Sequence, residues 1–533
     1  GLISTAFGQK SPNSVTQNNS HRQYLTGQLI AEYKGVFGKH DINVLGGWSA
    51  EENLYEDLQG KRTNIVGNEL PALNLGDTDG WSNAADENEW ALLSGFMRAS
   101  YAFAAKYLVE VNFRADASSR FSKKNRWGVF PSASVGWRIT EEKFMQNQHI
   151  FDNLKLRASW GQLGNQNGLG LYDHIASYNI NGYYPFKSEL GQWAVISKLP
   201  SESRTWETVE VKNIAVDMAF LRNRLTVTGE YFIKKNKDML VSIEIPSIIG
   251  IDVPTGNYGE LKVKGWEVTV GWQDKIKDFS YGARFNLSDQ KDKLVDYGVE
   301  YNGFVAGVNQ KVQGYSLGSI FGYRTDGYFT SEEEVKNSAA FNKAITGVGD
   351  IKYIDKDGDG KISAPNDLEY LGTTTPRYTF GLNLTAAWKG FDLGVLLQGV
   401  GKRNFYLSSE VMNPYYATWN NFSYKMHNDY WTPENPNAAF PRYYAGANHN
   451  YQISDHWLQN AAYVRLKNLQ LGYTISPKLT KSWGIQRLRV YFSGDNLCEY
   501  SKLNDNFDPE LSDINGYVYP IMRNFSFGIN VTL

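Results

Sequence analysis

A chain of 533 residues with Lys+Arg 54 against Asp+Glu 56 carries a formal net charge of −2, which leaves no basic field to hold nucleic acid. Aromatic residues make up 14 % of it, including 34 tyrosines and 15 tryptophans, a level that suits membrane-interface girdles or sugar-stacking surfaces. Cys498 stands alone, so no disulfide framework or cysteine metal cluster is available, and no run approaches the ~18 apolar residues of a spanning helix. A membrane protein of this composition has to be a β-barrel.

The opening Gly1-Leu2-Ile3-Ser4-Thr5 has neither the basic region nor the apolar core of a signal peptide. Two expectations follow: a protein that is not exported, or the C-terminal part of something longer. The pattern downstream favours the second.

Period-two alternation, the mark of a strand with one apolar and one polar side, predicts about fifteen strands long enough to cross a membrane at a tilt. They fall near 22–37, 40–54, 90–104, 106–118, 127–139, 153–161, 207–220, 223–235, 258–273, 278–289, 376–388, 390–401, 463–474, 486–497 and 522–533. The clearest unit is the hairpin 377–401. Phe380, Leu382, Leu384, Ala386 and Trp388 alternate with Thr379, Gly381, Asn383, Thr385 and Ala387, and beyond a Lys389-Gly390 turn Phe391, Leu393, Val395, Leu397 and Gly399 share a face. Near Lys467-Asn468 the parity slips, which predicts a β-bulge. In the last strand Phe525, Phe527, Ile529, Val531 and Leu533 alternate with Ser526, Gly528, Asn530 and Thr532. Such a strand looks like the terminal signal read by the outer-membrane insertion machinery, although Leu533 replaces its usual aromatic.

Connections alternate in length. Short ones fall at Gly38-Lys39-His40, Ala105, Arg222-Asn223-Arg224, Gln273–Lys277 and Lys389-Gly390; long ones near 55–89, 162–206, 236–257, 290–375, 402–462 and 498–521. Two middling turns, 140–152 and 476–485, share the side of the short ones. Sorting of this kind predicts an all-β, large antiparallel transmembrane barrel with short periplasmic turns and long extracellular loops, residues 1–533 forming its C-terminal part. Large outer-membrane transporters close about 22 strands around a plug, so some seven strands and the plug domain are expected outside this sequence.

Phe113-Arg114-Ala115-Asp116-Ala117-Ser118-Ser119-Arg120-Phe121, then 127–137, 156–166 and 347–372, then Thr374-Thr375-Pro376-Arg377-Tyr378, 430–436 and Val464-Arg465-Leu466-Lys467-Asn468 together resemble the SusC/RagA-like TonB-dependent transporters of Bacteroidetes. The resemblance implies an outer-membrane barrel with an N-terminal plug and TonB box. It also implies pairing with a SusD-like surface lipoprotein that lids the mouth, and glycan or oligopeptide cargo.

Asp355-Lys356-Asp357-Gly358-Asp359-Gly360-Lys361 opens like an EF-hand calcium loop, with carboxylates at its first, third and fifth positions, a glycine at the sixth and the Lys361 backbone carbonyl at the seventh. The twelfth position is Asn366 rather than Glu, with Asp367 and Glu369 as nearby substitutes. A structural calcium ion is one reading and a solvated acidic turn the other; no cofactor is otherwise required. Gly314-Tyr315-Ser316-Leu317-Gly318 fits the G-x-S-x-G pattern of a nucleophile elbow, but its flanks have no strand-to-helix signature, and His427, His449 and His456 lie in an unrelated loop. The chain therefore reads as no enzyme. Tyr172, Tyr178, Tyr183, Tyr184 and Trp193 in one long loop, and Tyr415, Tyr416, Trp419, Tyr424, Tyr430 and Trp431 in another, are candidates for stacking on sugar or packing on a lid. Self-packing of the loops explains the same rings. Trp160, Trp272 and Trp388 read as girdle residues. Beside the importer stand a passive porin or barrel enzyme, and a soluble multi-sheet carbohydrate-binding protein.

Overall fold

The computed structural model describes residues 12–66, 69–180, 182–186, 189–242, 255–298, 304–415, 424–444, 446, 448–511 and 521–533. Fifteen strands hydrogen-bond in chain order into one antiparallel sheet. They are β1 (Ser14–Phe37), β2 (His40–Thr63), β3 (Ser82–Phe103), β4 (Tyr107–Ser118), β5 (Trp127–Arg138), β6 (Phe151–Asn165), β7 (Glu207–Phe220), β8 (Leu225–Val241), β9 (Gly256–Ile276), β10 (Phe279–Tyr297), β11 (Arg377–Trp388), β12 (Phe391–Lys402), β13 (Tyr463–Ile475), β14 (Arg487–Ser501) and β15 (Asn524–Thr532). Each matches an expected strand. The sheet is not closed: β1 pairs only with β2, and β15 only with β14. One continuous sheet replaces the stacked sheets that the soluble alternative requires.

Register shows why the pattern specifies this sheet. Residues opposite one another in an antiparallel pair share a face. One such row runs Val227–Val270–Phe285–Leu382–Leu397, and another runs Phe391–Tyr473–Val490–Ile529. The apolar side chains of every strand thus join into one band, and many of them, such as Leu384, Leu393, Val490 and Ile529, stand exposed. Slipping any strand by one residue would turn its whole apolar set inward. The bulge expected near Lys467 is present: Leu396 faces Asn468 and Leu397 faces Leu466, leaving Lys467 without an opposite number. Below the band, Phe37, Tyr107, Trp137, Phe279, Trp388 and Phe391 form an exposed aromatic rim beside the hairpin turns. At one of those turns, Lys389 and Gly390 both adopt positive φ, the backbone that a two-residue hairpin between Trp388 and Phe391 demands.

Strand lengths depart from expectation. β1 starts at Ser14 rather than residue 22, β2 runs to Thr63, β3 begins at Ser82, β8 reaches Val241, β10 Tyr297 and β14 Ser501. The connection expected at 55–89 shrinks to 64–81, and those at 236–257, 290–375 and 498–521 to 242–255, 298–376 and 502–523. Ladder hydrogen bonds do not need lipid, so paired ribbons continue into water after the apolar alternation that advertised them has stopped.

The two faces make unequal demands. Leu384→Lys, on the band, is expected to destabilise the membrane-inserted barrel by about 2–4 kcal/mol, whereas Thr385→Lys, on the opposite face, costs less than about 1 kcal/mol. Denaturant unfolding of the protein in lipid vesicles measures both.

Candidate functional site: the polar inner face and the outer mouth

The face opposite the apolar band is polar and internally paired. Arg157 spans Asp217 at 3.1 Å and Glu230 at 2.8 Å across three strands. Ser100 donates to Glu110 at 2.8 Å, Arg114 grips Asp116 at 2.8 Å, and Arg489 forks onto Asp392. Thr226, Thr228, Thr269, Arg284, Asn383, Thr385 and Gln470 continue the lining of one concavity on this face. Such a wall suits water and hydrophilic cargo and fits no acyl chain.

At the outer ends of the strands, inward-facing side chains become anchors for the loops. Phe130 on β5 packs edge-on against Trp206 at 5.5 Å, and Trp206 also meets Phe121 at 4.9 Å, making a small core under the loop 166–206. Arg204, itself buried, ties that loop down with a bond to Asp173 at 2.5 Å and another to the Thr255 carbonyl at 2.6 Å. Asp292 on β10 accepts from the Ser316 hydroxyl at 2.5 Å and the Leu317 amide at 2.8 Å. On β13 the buried Arg465 is met by Asp508 at 2.6 Å and Glu510 at 3.0 Å from the last outer loop. The three strand anchors, Phe130, Asp292 and Arg465, have the parity of the polar face, so the loops are rooted on the inside of the rim.

The loops 304–376 and 403–462, with Leu503, then build their own apolar core. Tyr323, Ile351, Tyr353, Leu368, Phe405, Val411, Phe440 and Trp457 are buried together. At its edge sits Asp350, fully buried and bonded on both oxygens. Arg442 donates twice at 2.9 and 3.0 Å, Asn450 at 2.9 Å, Tyr444 at 3.0 Å and the Gly347 amide at 2.8 Å, and the His449 ring lies 3.0 Å away. Burial by itself would raise the Asp350 pKa; the bonds from His449, Arg442, Asn450 and the Gly347 amide outweigh it and hold the carboxyl well below the usual range. Burial and the Asp350 charge push the Tyr444 phenol up to about 12. Nothing in the sequence around Asp350 signals this hub, because its side-chain partners come from 92–100 residues further on.

In the acidic loop, Asp355, Asp357 and Asp359 bring carboxylate oxygens within 4.8 Å of one another. Asp355 accepts the Gly358 and Gly360 amides at 2.7 and 2.8 Å, and both glycines take the positive φ that lets the chain curl around it. Lys361 donates its amide to Asp359 at 2.8 Å. Asp367 does not join the trio. It is buried, and its two oxygens accept the Lys356 and Ser363 amides, both at 2.7 Å, clasping the loop at its ends.

Of the singled-out aromatics, Tyr183, Tyr184, Tyr178 and Tyr415 are exposed and Trp193 is 39 % exposed; Tyr416 and Trp419 lie outside the described residues. Tyr172 accepts the Glu89 amide of β3, and Tyr430 packs on Tyr443 of its own loop, so part of the set is engaged within the protein. No nucleophile elbow forms at Ser316, whose hydroxyl is held by Asp292. His427 accepts from the Tyr424 amide and donates to the Val411 carbonyl, His449 faces Asp350, and His456 meets the Ala439 carbonyl. Each of the three candidate bases is engaged elsewhere.

One continuous sheet, apolar outside, polar inside and looped long on one rim, defines an outer-membrane β-barrel. The chain belongs to the family described as TonB dependent receptor-like, beta-barrel, whose profile matches residues 3–497. It is 28 % identical over 542 residues to TonB-dependent receptor P3 of Formosa agariphila, covering 97 % of this chain and 52 % of that protein. To TonB-dependent receptor SusC of Bacteroides thetaiotaomicron it is 28 % identical over 463 residues, covering 83 % of this chain and 43 % of SusC. In fold it is similar to the structure of the RagAB peptide transporter, with a TM-score of 0.83 at 24 % identity, covering 97 % of this chain and 56 % of that one. The chain spans about half the length of the curated relatives it matches.

Because the Asp350 carboxyl is depressed below its ordinary value of 3.8, its stabilisation is complete above that pH and is lost as pH falls further toward the folded-state value. Hydrogen-exchange protection factors of the described residues in 304–462 are expected to fall below about pH 4. Asp350→Asn is expected to destabilise the outer loops by about 3 kcal/mol at neutral pH and to flatten that acid dependence.

Proposed function

We propose that this chain forms the wall and outer mouth of a TonB-dependent, SusC-like importer that moves glycans or oligopeptides across the outer membrane. The observation that carries the reading is the inner face: a polar wall continuous with loops folded onto the inside of the rim. Cargo binds at the mouth and passes along the polar side once TonB, acting through an N-terminal region, has displaced a plug. Exposed Tyr183, Tyr184, Trp193 and Tyr415 offer rings to cargo or to a SusD-like lipoprotein lid. Chemistry is not part of the role, since the wall guides cargo rather than cleaving it. Deleting TonB from a strain that depends on this protein for growth on its cargo is expected to abolish growth. Growth unchanged without TonB would instead identify a passive pore.

We also propose a calcium ion at Asp355, Asp357 and Asp359, with the Lys361 carbonyl as a further ligand. Supporting it are the three converging carboxylates and the curled backbone at Gly358 and Gly360. Asp367 acts as the clasp rather than as a ligand. Titration calorimetry is expected to show uptake of one calcium per chain that Asp357→Ala or Asp359→Ala removes; unchanged uptake in both variants contradicts the site.

A further inference from the structure

Seven lysines share the outward face of β7–β10 just above the apolar band. They are Lys212, Lys235, Lys237, Lys262, Lys264, Lys291 and Lys293. Register places Lys264 directly opposite Lys291, and Lys262 directly opposite Lys293, on adjacent strands. Like charges so placed destabilise a sheet unless something neutralises them. Three acids on the same face are already taken, while Asp296, opposite Glu260 at the strand tops, accepts the Gly298 amide. Glu210 meets Lys212 at 3.2 Å and Lys237 at 2.6 Å, Glu260 meets Lys235 at 4.0 Å, and Asp289 is held by a two-pronged pair with Arg377. That leaves Lys262, Lys264, Lys291 and Lys293, which make no ion pair among the described residues; Lys264, Lys291 and Lys293 are exposed.

Height along the strand identifies what lies beside them. Lys264 and Lys262 stand eight and ten residues above Trp272, which the sequence marks as a girdle residue. At about 3.4 Å per residue and a tilt near 40° that is roughly 21–26 Å, the height of the apolar band of an outer-membrane barrel. Directly below Lys264 on the same face lies Trp266, in one row with Tyr231 and Ile214 of the neighbouring strands; on β10 the residue of that row, below Lys291, is Asp289, held by Arg377. On β9 the apolar side chains that meet acyl chains therefore give way, within two residues, to a square of cations that make no ion pair among the described residues.

We propose that this square binds the phosphate of a phosphate-bearing lipid in the outer leaflet, whose acyl chains lie along Ile214, Tyr231 and Trp266. A lysine ammonium is a compact donor that suits a phosphate monoester, and phosphate oxygens between the facing pairs convert the like-charge repulsion into attraction. The lipid is a bound structural partner rather than cargo, so the site stands independently of what the transporter carries.

The intact protein, stripped of lipid in detergent, provides the test, with lipid A in mixed micelles as probe. Wild type is expected to bind it, and a variant carrying Lys262→Gln, Lys264→Gln, Lys291→Gln and Lys293→Gln is expected to bind roughly tenfold or more weakly. Lys478→Gln with Lys481→Gln, at the opposite rim, should change nothing. In lipid-free detergent the quadruple variant is expected to match or exceed the wild-type Tm, since repulsion has been removed. Equal affinity for phosphatase-treated lipid A would show hydrophobic adsorption alone and overturn the proposal. So would full competition by inorganic phosphate, unchanged lipid affinity in the variant, or variant loss of an acidic co-purifying protein with lipid binding intact. Should the quadruple variant not fold, the pairs Lys264→Gln/Lys291→Gln and Lys262→Gln/Lys293→Gln are compared separately, each expected to lose part of the affinity.

Discussion

A segment that crosses hydrocarbon has to satisfy every backbone N–H and C=O within the protein, because no water is there to do it. For this chain, which has no helix long and apolar enough to cross among the described residues, the ladder is the solution, and its consequences run through the whole molecule. Pairing in chain order, β1 to β15, follows from short hairpins on one rim. Once strands are paired, alternation places one set of side chains in lipid and the other inside. The row Val227–Val270–Phe285–Leu382–Leu397 and the polar run of Thr228, Thr269, Asn286, Gly381 and Gln398 are two faces of the same four pairings.

The same constraint explains where the apolar core is not. A barrel wall one sheet thick buries little of its own, so the large buried cluster lies in the outer loops, where Trp457, Phe440, Leu368 and Ile351 pack away from water. Those loops take hold on inward-facing residues at the strand tops, Phe130, Asp292 and Arg465, because the outward positions there are committed to lipid or headgroups. Charge that enters the loop core is neutralised on the spot, as at Asp350. The mouth is thereby a folded structure in its own right, fixed to the wall rather than draped over it.

Period two is a strong and local signal, and so the fifteen strands and the bulge at Lys467 were legible in the sequence. Strand ends were less so, since Tyr55–Lys61 and Ser82–Glu89 stay paired where polar residues on both faces erase the alternation. The mouth was largely illegible. Its apolar residues have no period, and Asp350 finds Arg442, His449 and Asn450 only through tertiary folding. Asp367 was read as a metal ligand from spacing, yet backbone amides claim both its oxygens, a competition that spacing cannot show. The lysine square is also a property of register: Lys262, Lys264, Lys291 and Lys293 look like ordinary surface charges until Lys264 is seen opposite Lys291.

The division of the wall into a lipid side and a water side is most directly measured by nitroxide scanning. Single cysteines placed in turn at residues 379–388 and 391–399, with the exposed Cys498 changed to serine, report accessibility to oxygen and to a water-soluble nickel chelate. Alternation predicts oxygen maxima at Phe380, Leu382, Leu384 and Ala386 and chelate maxima at Gly381, Asn383 and Thr385. A scan without a period of two, or with those maxima exchanged, would contradict it.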